Sequence, residues 1–417
     1  MRRGERMSAA GADSGGERAN ALSRELPPSG GRIGYQRDFW LVFTATFVLG
    51  LAANLFVFFP VYIVRLGGDA AAIGAIVSIG SLAALAARPA LAPLIDWRGR
   101  RFTVMWALIL EALAFALYVP VHSLGWPMYA VRVLHGAVDG AARVALFAMV
   151  FDILPHGRRG EGMALFSLSG QGPAALGPLL GEAVVKYFGF TVFFYVAAAL
   201  CVGAAATAAM LPDDRPRDAP THTPHAPERL GYRALIFDRN LLPLWVVTLA
   251  FAIAISPRNS FVAPFAYQKH IAQVGWYFAL YSGVAVVLRL YGQMIERIGV
   301  ERIMGPSLGL LGIGIVMIAF TGTTGALLGA AVLGGLGHSY AYPALSAMVI
   351  AHTPAEAFGR SSAVYTSLFD FAAMLAPYLL GLIATFWGYA PMFVIAGLVA
   401  LFGAAYFLAC ERRRSEL

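Results

Sequence analysis

Charge is what this sequence has little of. Only 13% of its 417 residues are Asp, Glu, Lys or Arg, against about a quarter in soluble domains, too few to clothe a soluble body of this size. Cysteine is scarcer still. Cys201 and Cys410 lie within or at the end of apolar runs, which excludes a disulfide framework and a thiolate metal cluster. The HExxH, GxSxG and GxxxxGK[ST] signatures are absent, so metalloprotease, serine hydrolase and ATPase chemistry find no support, and neither an enzyme nor a cofactor is expected. His222 and His225 have no carboxylate or thiolate beside them and read as solvated loop residues rather than a metal tract. The first residues hold no apolar leader core; 1–37, rich in Gly, Ser, Arg and Glu, are expected to be a disordered cytoplasmic tail, with Met1 and Met7 both open as the start.

What the sequence has in abundance is apolar length. Hydrophobic residues make up 59% of the chain, its mean hydropathy is +0.68, and runs long enough to cross a bilayer recur almost throughout. The expected fold is therefore an all-α integral membrane protein. Gly, Pro and charge breaks divide it into about twelve spans, near 38–65, 70–95, 102–122, 126–153, 162–187, 190–211, 240–268, 273–295, 302–321, 325–352, 360–386 and 389–410. The Pro-rich, mixed-charge stretch 212–239 reads as a cytoplasmic linker between two six-helix bundles, 38–211 and 240–410, with a cytoplasmic tail at 411–417. The net charge of +8 comes from arginines in alternate gaps, which makes it a topology signal rather than a nucleic-acid surface. It places both termini and the middle loop on the cytoplasmic side.

The two halves are related. A shift of 199 residues (149 to 348) carries Met149-Val150 onto Met348-Val349, Pro155 onto Pro354, Gly160 onto Gly359, Pro178 onto Pro377 and Gly189 onto Gly388. Pseudo-symmetric halves with the substrate site at their interface, near the bilayer midplane, are a transporter architecture.

Between the second and third spans lies APLIDWRGRR, residues 92–101, and at the matching place in the second half GQMIERIGVER, residues 292–302. Both set a carboxylate, Asp96 or Glu296, three residues before a glycine, Gly99 or Gly299. In this loop, over residues 38–410, the chain resembles the major facilitator superfamily, whose signature reads G-x-L-x-D-R-x-G-R-R; Ala92 and Trp97 depart from it. The resemblance implies a secondary transporter in which this loop is a cytoplasmic latch. Asp96 would meet the start of the eleventh span near Gly359-Arg360-Ser361, helped by Arg100, Arg101 and the weaker copy around Glu296 and Arg297. Arg132 followed by Gly136, Gly140, Ala141 and Ala142 resembles the family's fourth-helix motif of proton-coupled members. GPLLG (Gly177, Pro178, Gly181) resembles its antiporter element, with Glu182 where a further glycine often stands. The implied partners are a small-molecule substrate, protons and the lipid bilayer, with no nucleic acid, and the chain is expected to act as a monomer.

The polar residues inside spans are the site candidates. Arg132, His135, Asp139 and Arg143 fall within roughly 80° on a helical wheel, one stripe that lipid would not tolerate. The repeat pairs Asp139 with His338, Arg143 with Tyr342, and Gln171 with Asp370. Arg258 and Asn259 sit inside the seventh span and Asn54 inside the first, and the resemblance implies that the first, fourth, seventh and tenth helices line the cavity. Asn54, Arg143, Arg258, Asn259, His338 and Tyr342 are therefore the expected substrate contacts, and Arg132, Asp139 and Asp370 the expected proton-coupling groups. Asp139 and Arg143 also have the i,i+4 spacing of a self-neutralising pair. Asp370 has no basic residue within four positions and needs a partner in another helix or a proton of its own. Arg88 and Arg289 read as snorkelling to the interface, and Glu111, mid-span, has no assigned role. Asp96→Asn is expected to leave folding intact and to shift the molecule toward inward-facing states. Double-label distances across the cytoplasmic face read this out, and an unchanged distribution removes the latch role.

Overall fold

Lipid offers no hydrogen bond to a bare peptide group, so each apolar span must satisfy its own backbone and closes into a helix. The computed structural model describes residues 37–154, 159–212, 231–290, 299–354 and 357–415. Among them every regular element is a helix. In the first half α1 is Arg37–Arg65, interrupted by a 3-10 turn at Phe56–Phe58, α2 is Ala70–Arg98, α3 Arg100–Leu117 and α4 Trp126–Ile153. A short helix, Arg159–Phe166, precedes α5 (168–188) and α6 (190–209), which Gly189 divides. After a short helix at Tyr232–Ile236 come α7 Leu242–Gln268, α8 Val274–Leu290, α9 Val300–Ala319, α10 Thr324–Ala351, α11 Phe358–Trp387 and α12 Tyr389–Ser415. Among the described residues, eight stretches are long and apolar enough to cross a membrane, the one at Glu161–Ala209 holding both α5 and α6.

Two helix ends differ from the sequence expectation. The third span stops at Leu117 rather than near 122, because Pro120 disfavours helical geometry at the residue before it. The twelfth runs to Ser415, past 410; Arg412 and Arg413 suit the negative end of a helix dipole, which lets the last turns form. Residues 213–230 of the expected linker 212–239, His222 and His225 included, and residues 1–36 of the expected tail 1–37 lie outside the described residues, whereas Tyr232–Ile236 within the linker is a short helix.

The repeat is visible in the backbone. Gly189 and Gly388 have φ of 79° and 89° and break α5 from α6 and α11 from α12. Gly99 and Gly299 have φ of 83° and 92° and open α3 and α9. These are left-handed conformations that side chains resist. Packing repeats as well: α2 lies on α4 as α8 on α10, α3 on α4 and α6 as α9 on α10 and α12. The halves then meet through α2 against α11 and through its counterpart, α5 against α8.

Those meetings close one face, the one whose connections carry few charges. A Cβ on Gly74 would overlap the Pro377 backbone, and one on Gly381 the Ala70 carbonyl, so α2 and α11 touch backbone to backbone. Thr385 accepts from the Ala71 amide at 2.8 Å and donates to Asp69 at 3.2 Å. At the other seam the Glu182 carboxylate on α5 accepts from the Val274 and Gly275 amides, each at 2.8 Å, capping the positive N-terminus of α8 across the halves. Exposure rises toward the opposite, arginine-rich face: on α4 Arg132 is half-buried, whereas Arg143 and Phe147 are exposed.

Glu182→Ala removes this cap, worth about 1–2 kcal/mol. It is expected to raise the population open at the charge-poor face by roughly 5- to 30-fold, read by double-label distances across that face. Gly136→Ala is a control of a different kind, because its Cβ would meet the Gly80 backbone inside the first half. It is expected to cost about 1–3 kcal/mol of stability and lower the melting temperature without moving those distances.

Candidate functional site

Between the halves lies a cavity in two lobes that share Val77, Asn259 and Ser260. The lobe toward the second half, about 330 Å³, is lined by Arg258, His338, Phe369, Asp370 and Ser81 among others. The lobe toward the first half, about 290 Å³, is lined by Asn54, Phe56, Phe59, Arg132 and Arg143. Prolines at 60, 257 and 343 sit inside or beside the lining helices; each removes a backbone donor. A larger cavity of about 490 Å³ lies beside the closed face, lined by Arg65, Glu182, Lys186 and Tyr267. None of the expected substrate or proton residues borders it.

The cavity cations differ in their partners. Arg143 Nε donates to Asp139 Oδ1 at 2.8 Å on its own helix. Arg88 on α2 reaches across to α11 and forks onto Asp370, with Nη2 2.9 Å from Oδ1 and a second bond from Nη1 to Oδ2. Arg132 donates to the Ile76 carbonyl at 3.2 Å and lies over Phe56 and Phe59, its guanidinium carbon 5.5 and 5.9 Å from the ring centres. Arg258 donates to Asn259 at 3.1 Å and stacks 4.5 Å from the Tyr281 ring centre. Among the described residues, no carboxylate forms an ion pair with Arg132 or Arg258. Four arginines face two aspartates here. The surplus is positive, and guanidinium forks match carboxylate or phosphate bidentately.

The structure thus brings Asn54, Arg132, Arg143, Arg258, Asn259, His338 and Asp370 to one two-lobed space. His338 stands between aromatic rings, 5.4 Å from Phe251 and 5.6 Å from Tyr281. Tyr342 is not among the lining side chains; its ring packs on Phe369 and Tyr365 at 5.6 and 6.1 Å, because an aromatic ladder runs along this face of α10 and α11. His135 leaves the expected polar stripe. It is buried among Phe56, Phe115 and Tyr118, since it stands at the edge of the stripe, where α3 packs.

Arg88 is the residue that sequence reasoning missed. It pairs across the cavity instead of snorkelling, because α2 turns this face toward α11 rather than lipid. Its register with Gly74 and Ser81, seven residues apart in each step, was the available signal: all three share one helical face.

The motif residues build the surroundings. Gly177 and Gly181 let α5 approach α1, since a Cβ on either would meet Asn54 or the Leu55 backbone at 2.7–2.8 Å, and buried Pro178 lies between them. Arg100 donates to the Ala148 carbonyl at 2.8 Å and pairs with Asp152 on α4, and Arg101 donates to the Ala209 carbonyl at 2.7 Å. The Asp96 side chain, with Glu296 and Arg297, lies outside the described residues. No group of His, Cys, Asp and Glu among the described residues could hold a metal ion.

Known proteins of similar sequence and fold bear on this arrangement. Residues 41–271 and 259–417 match the family model described as Major Facilitator Superfamily. The multidrug resistance protein MdtG of Serratia proteamaculans is 26% identical over 409 residues, covering 93% of this chain and 97% of the relative. That of Citrobacter koseri is 25% identical over 405 residues, covering 94% and 99%. The nucleoside transporter NupG shares the fold with a TM-score of 0.73 at 15% identity, covering 90% of this chain and 99% of its own. The human organic anion transporter MFSD10 does so at 0.61 and 17%, covering 90% and 100%. Two matches that between them run from residue 41 to the C-terminus, over halves built alike around a shared cavity, make this chain a member of the Major Facilitator Superfamily and a multi-pass membrane transporter.

Proposed function

We propose that this transporter is a proton-coupled antiporter that exports a small organic compound bearing an anionic group, by alternating access, across a bacterial inner membrane with both termini cytoplasmic. It acts as a monomer. The observation that carries the reading is the two-lobed cavity, in which Arg258 and Arg132 offer guanidinium groups without a paired carboxylate while Asp370 is tied to Arg88 across the halves. The arginine-rich face is the cytoplasmic one by its charge, so the molecule stands open inward and closed outward, ready to load from the cytoplasm. Relatives that carry the name of multidrug resistance proteins support export, and the GPLLG element at Gly177 to Gly181 supports antiport.

Substrate and proton compete for one space. Asp370 borders the same lobe as Arg258 and His338, so a compound filling that lobe displaces the water through which a proton reaches the carboxylate. The substrate is released outward, Asp370 takes a proton from the outside, and Arg88 lets go, since a neutral acid no longer holds the guanidinium fork. Return of the empty carrier delivers the proton inside. The Asp96 loop serves as the inner latch in the opposite, outward-open state, and Glu182 serves as the outer one in the state seen here.

The Arg88–Asp370 pair also favours a second reading. Protonating Asp370 frees Arg88 for an anion, so proton and organic acid load together, and the chain becomes an importing symporter. Direction separates the two in proteoliposomes screened against small organic acids and drug-like anions. An acidic lumen drives accumulation by an antiporter, and an acidic exterior drives it by a symporter. Accumulation under neither gradient overturns proton coupling.

Two further outcomes are expected. Asp370→Asn mimics the protonated form and abolishes gradient-driven accumulation while binding persists; normal accumulation by this variant moves the coupling role elsewhere. Arg258→Lys keeps the charge but loses the fork, and weakens binding of the transported anion by roughly tenfold. Unchanged affinity returns Arg258 to a structural role.

A further inference from the structure

The few basic residues of the closed face gather at one corner of it. Among the described residues, the Lys and Arg side chains on its helix ends and connections are Arg65, Lys186 and Lys269. Arg65 ends α1 and Lys186 stands near the end of α5, and both line the cavity of about 490 Å³ beside this face. Lys269 lies in the α7–α8 connection, between Tyr267 and Ile271, which line the cavity as well. Topology asks for no cations on a charge-poor face, so their meeting at one cavity has another cause.

The two lining cations are not consumed by the protein. Neither Arg65 nor Lys186 forms an ion pair with a carboxylate among the described residues. The acid in the lining, Glu182, has its two oxygens on the Val274 and Gly275 amides, each at 2.8 Å. Arg65 lies over Phe190 of the first half and Tyr267 of the second, its guanidinium carbon 4.9 and 5.9 Å from the ring centres. A guanidinium laid on ring faces keeps the N–H groups at its edge for an oxyanion. Lys186 Nζ is 5.3 Å from the Tyr187 ring centre and brings a second positive charge to the same cavity.

The rest of the lining says what carries the anion. Val61, Leu179, Ala183 and Ala263 give the cavity an apolar wall, which a free inorganic anion does not need and a glycerol backbone with its first acyl carbons does. Tyr187 and Trp276 line it too and are exposed, and exposed Tyr and Trp at span ends mark the depth of lipid headgroups. The cavity is also shared: α1 and α5 line it from the first half, α7 and α8 from the second.

We propose that this cavity binds the phosphodiester headgroup of an anionic phospholipid from the leaflet at the closed face, held by Arg65 and Lys186, and that the bound lipid keeps this face shut. Lys269 adds attraction to the anionic surface. Separation of α5 from α8 divides the lining between the halves, so the lipid binds the shut form better and shifts the population toward it. The site requires neither a direction of transport nor a coupling ion.

The full-length protein in phosphatidylcholine nanodiscs, with and without phosphatidylglycerol, tests this. Phosphatidylglycerol is expected to raise the ratio of shut to open molecules at the charge-poor face by roughly 5- to 25-fold, about fivefold for each lining cation, read by double-label distances. Arg65→Gln combined with Lys186→Gln is expected to abolish that response and to match the wild type in phosphatidylcholine alone. Arg233→Gln combined with Arg239→Gln removes equal charge from exposed positions at the opposite face and is expected to keep the full response. Mass spectrometry of the detergent-purified protein is expected to find phosphatidylglycerol retained over phosphatidylcholine by the wild type and not by the Arg65/Lys186 variant. Equal responses of that variant and the wild type overturn the site. An equal loss in the Arg233/Arg239 variant also overturns it, as an effect of overall surface charge. A shift reproduced by inorganic phosphate in phosphatidylcholine discs overturns the lipid in favour of a free anion. Retention of phosphatidylglycerol without any shift in the distances overturns its hold on the closed face.

Discussion

A charge inside a lipid-spanning bundle must have a partner or a polar cavity, and much of this molecule is arranged around that requirement. The cost of an ionised side chain at the centre of a span is on the order of 2.5–3.5 kcal/mol by insertion scales. Asp370 meets the requirement with Arg88 from the other half, and Asp139 with Arg143 one turn along its own helix. Arg132 meets it with a backbone carbonyl and two aromatic faces. Each solution fixes a geometry. The Arg88 fork ties the halves together at the depth of the cavity, whereas the Arg143 pair stays within one half.

Closure of the bundle depends on the opposite kind of residue. Where α2 crosses α11, Gly74 and Gly381 bring backbones into contact, and where α5 crosses α8 a carboxylate caps a helix end. The first seam joins close backbone contact to the Thr385 hydrogen bonds and the second is an ion–dipole interaction, so the two seams of one face respond differently to substitution. The two seams occupy equivalent places under the internal repeat.

Much of this was legible in the sequence because membrane constraints are written locally. Gly189 and Gly388 mark the same turn in each half, and their positive φ confirms that glycine is there for its backbone. Asn54, Arg258, Asn259, His338 and Asp370 could be singled out because a polar residue in an apolar run has few reasons to be there. Arg88 was misjudged, since nearness to a helix end is compatible with snorkelling until the neighbouring helix is known. Tyr342 was placed by repeat equivalence to Arg143, but a ring can satisfy itself on other rings and need not follow the polar register. Glu182 could be noticed only as a departure from a motif, because its partners are amides 92 and 93 residues away.

By itself the sequence determined the class, the helical spans, the orientation signal and the kinship of the halves, because hydropathy, charge asymmetry and glycine placement act over a turn or a span. Only the tertiary structure decided which charges neutralise one another, which face is shut, and that Glu111 is fully buried beside His135. Those outcomes depend on the rotation of one helix against another. A turn of a quarter revolution would exchange a cavity residue for a buried one without altering the pattern of any single span.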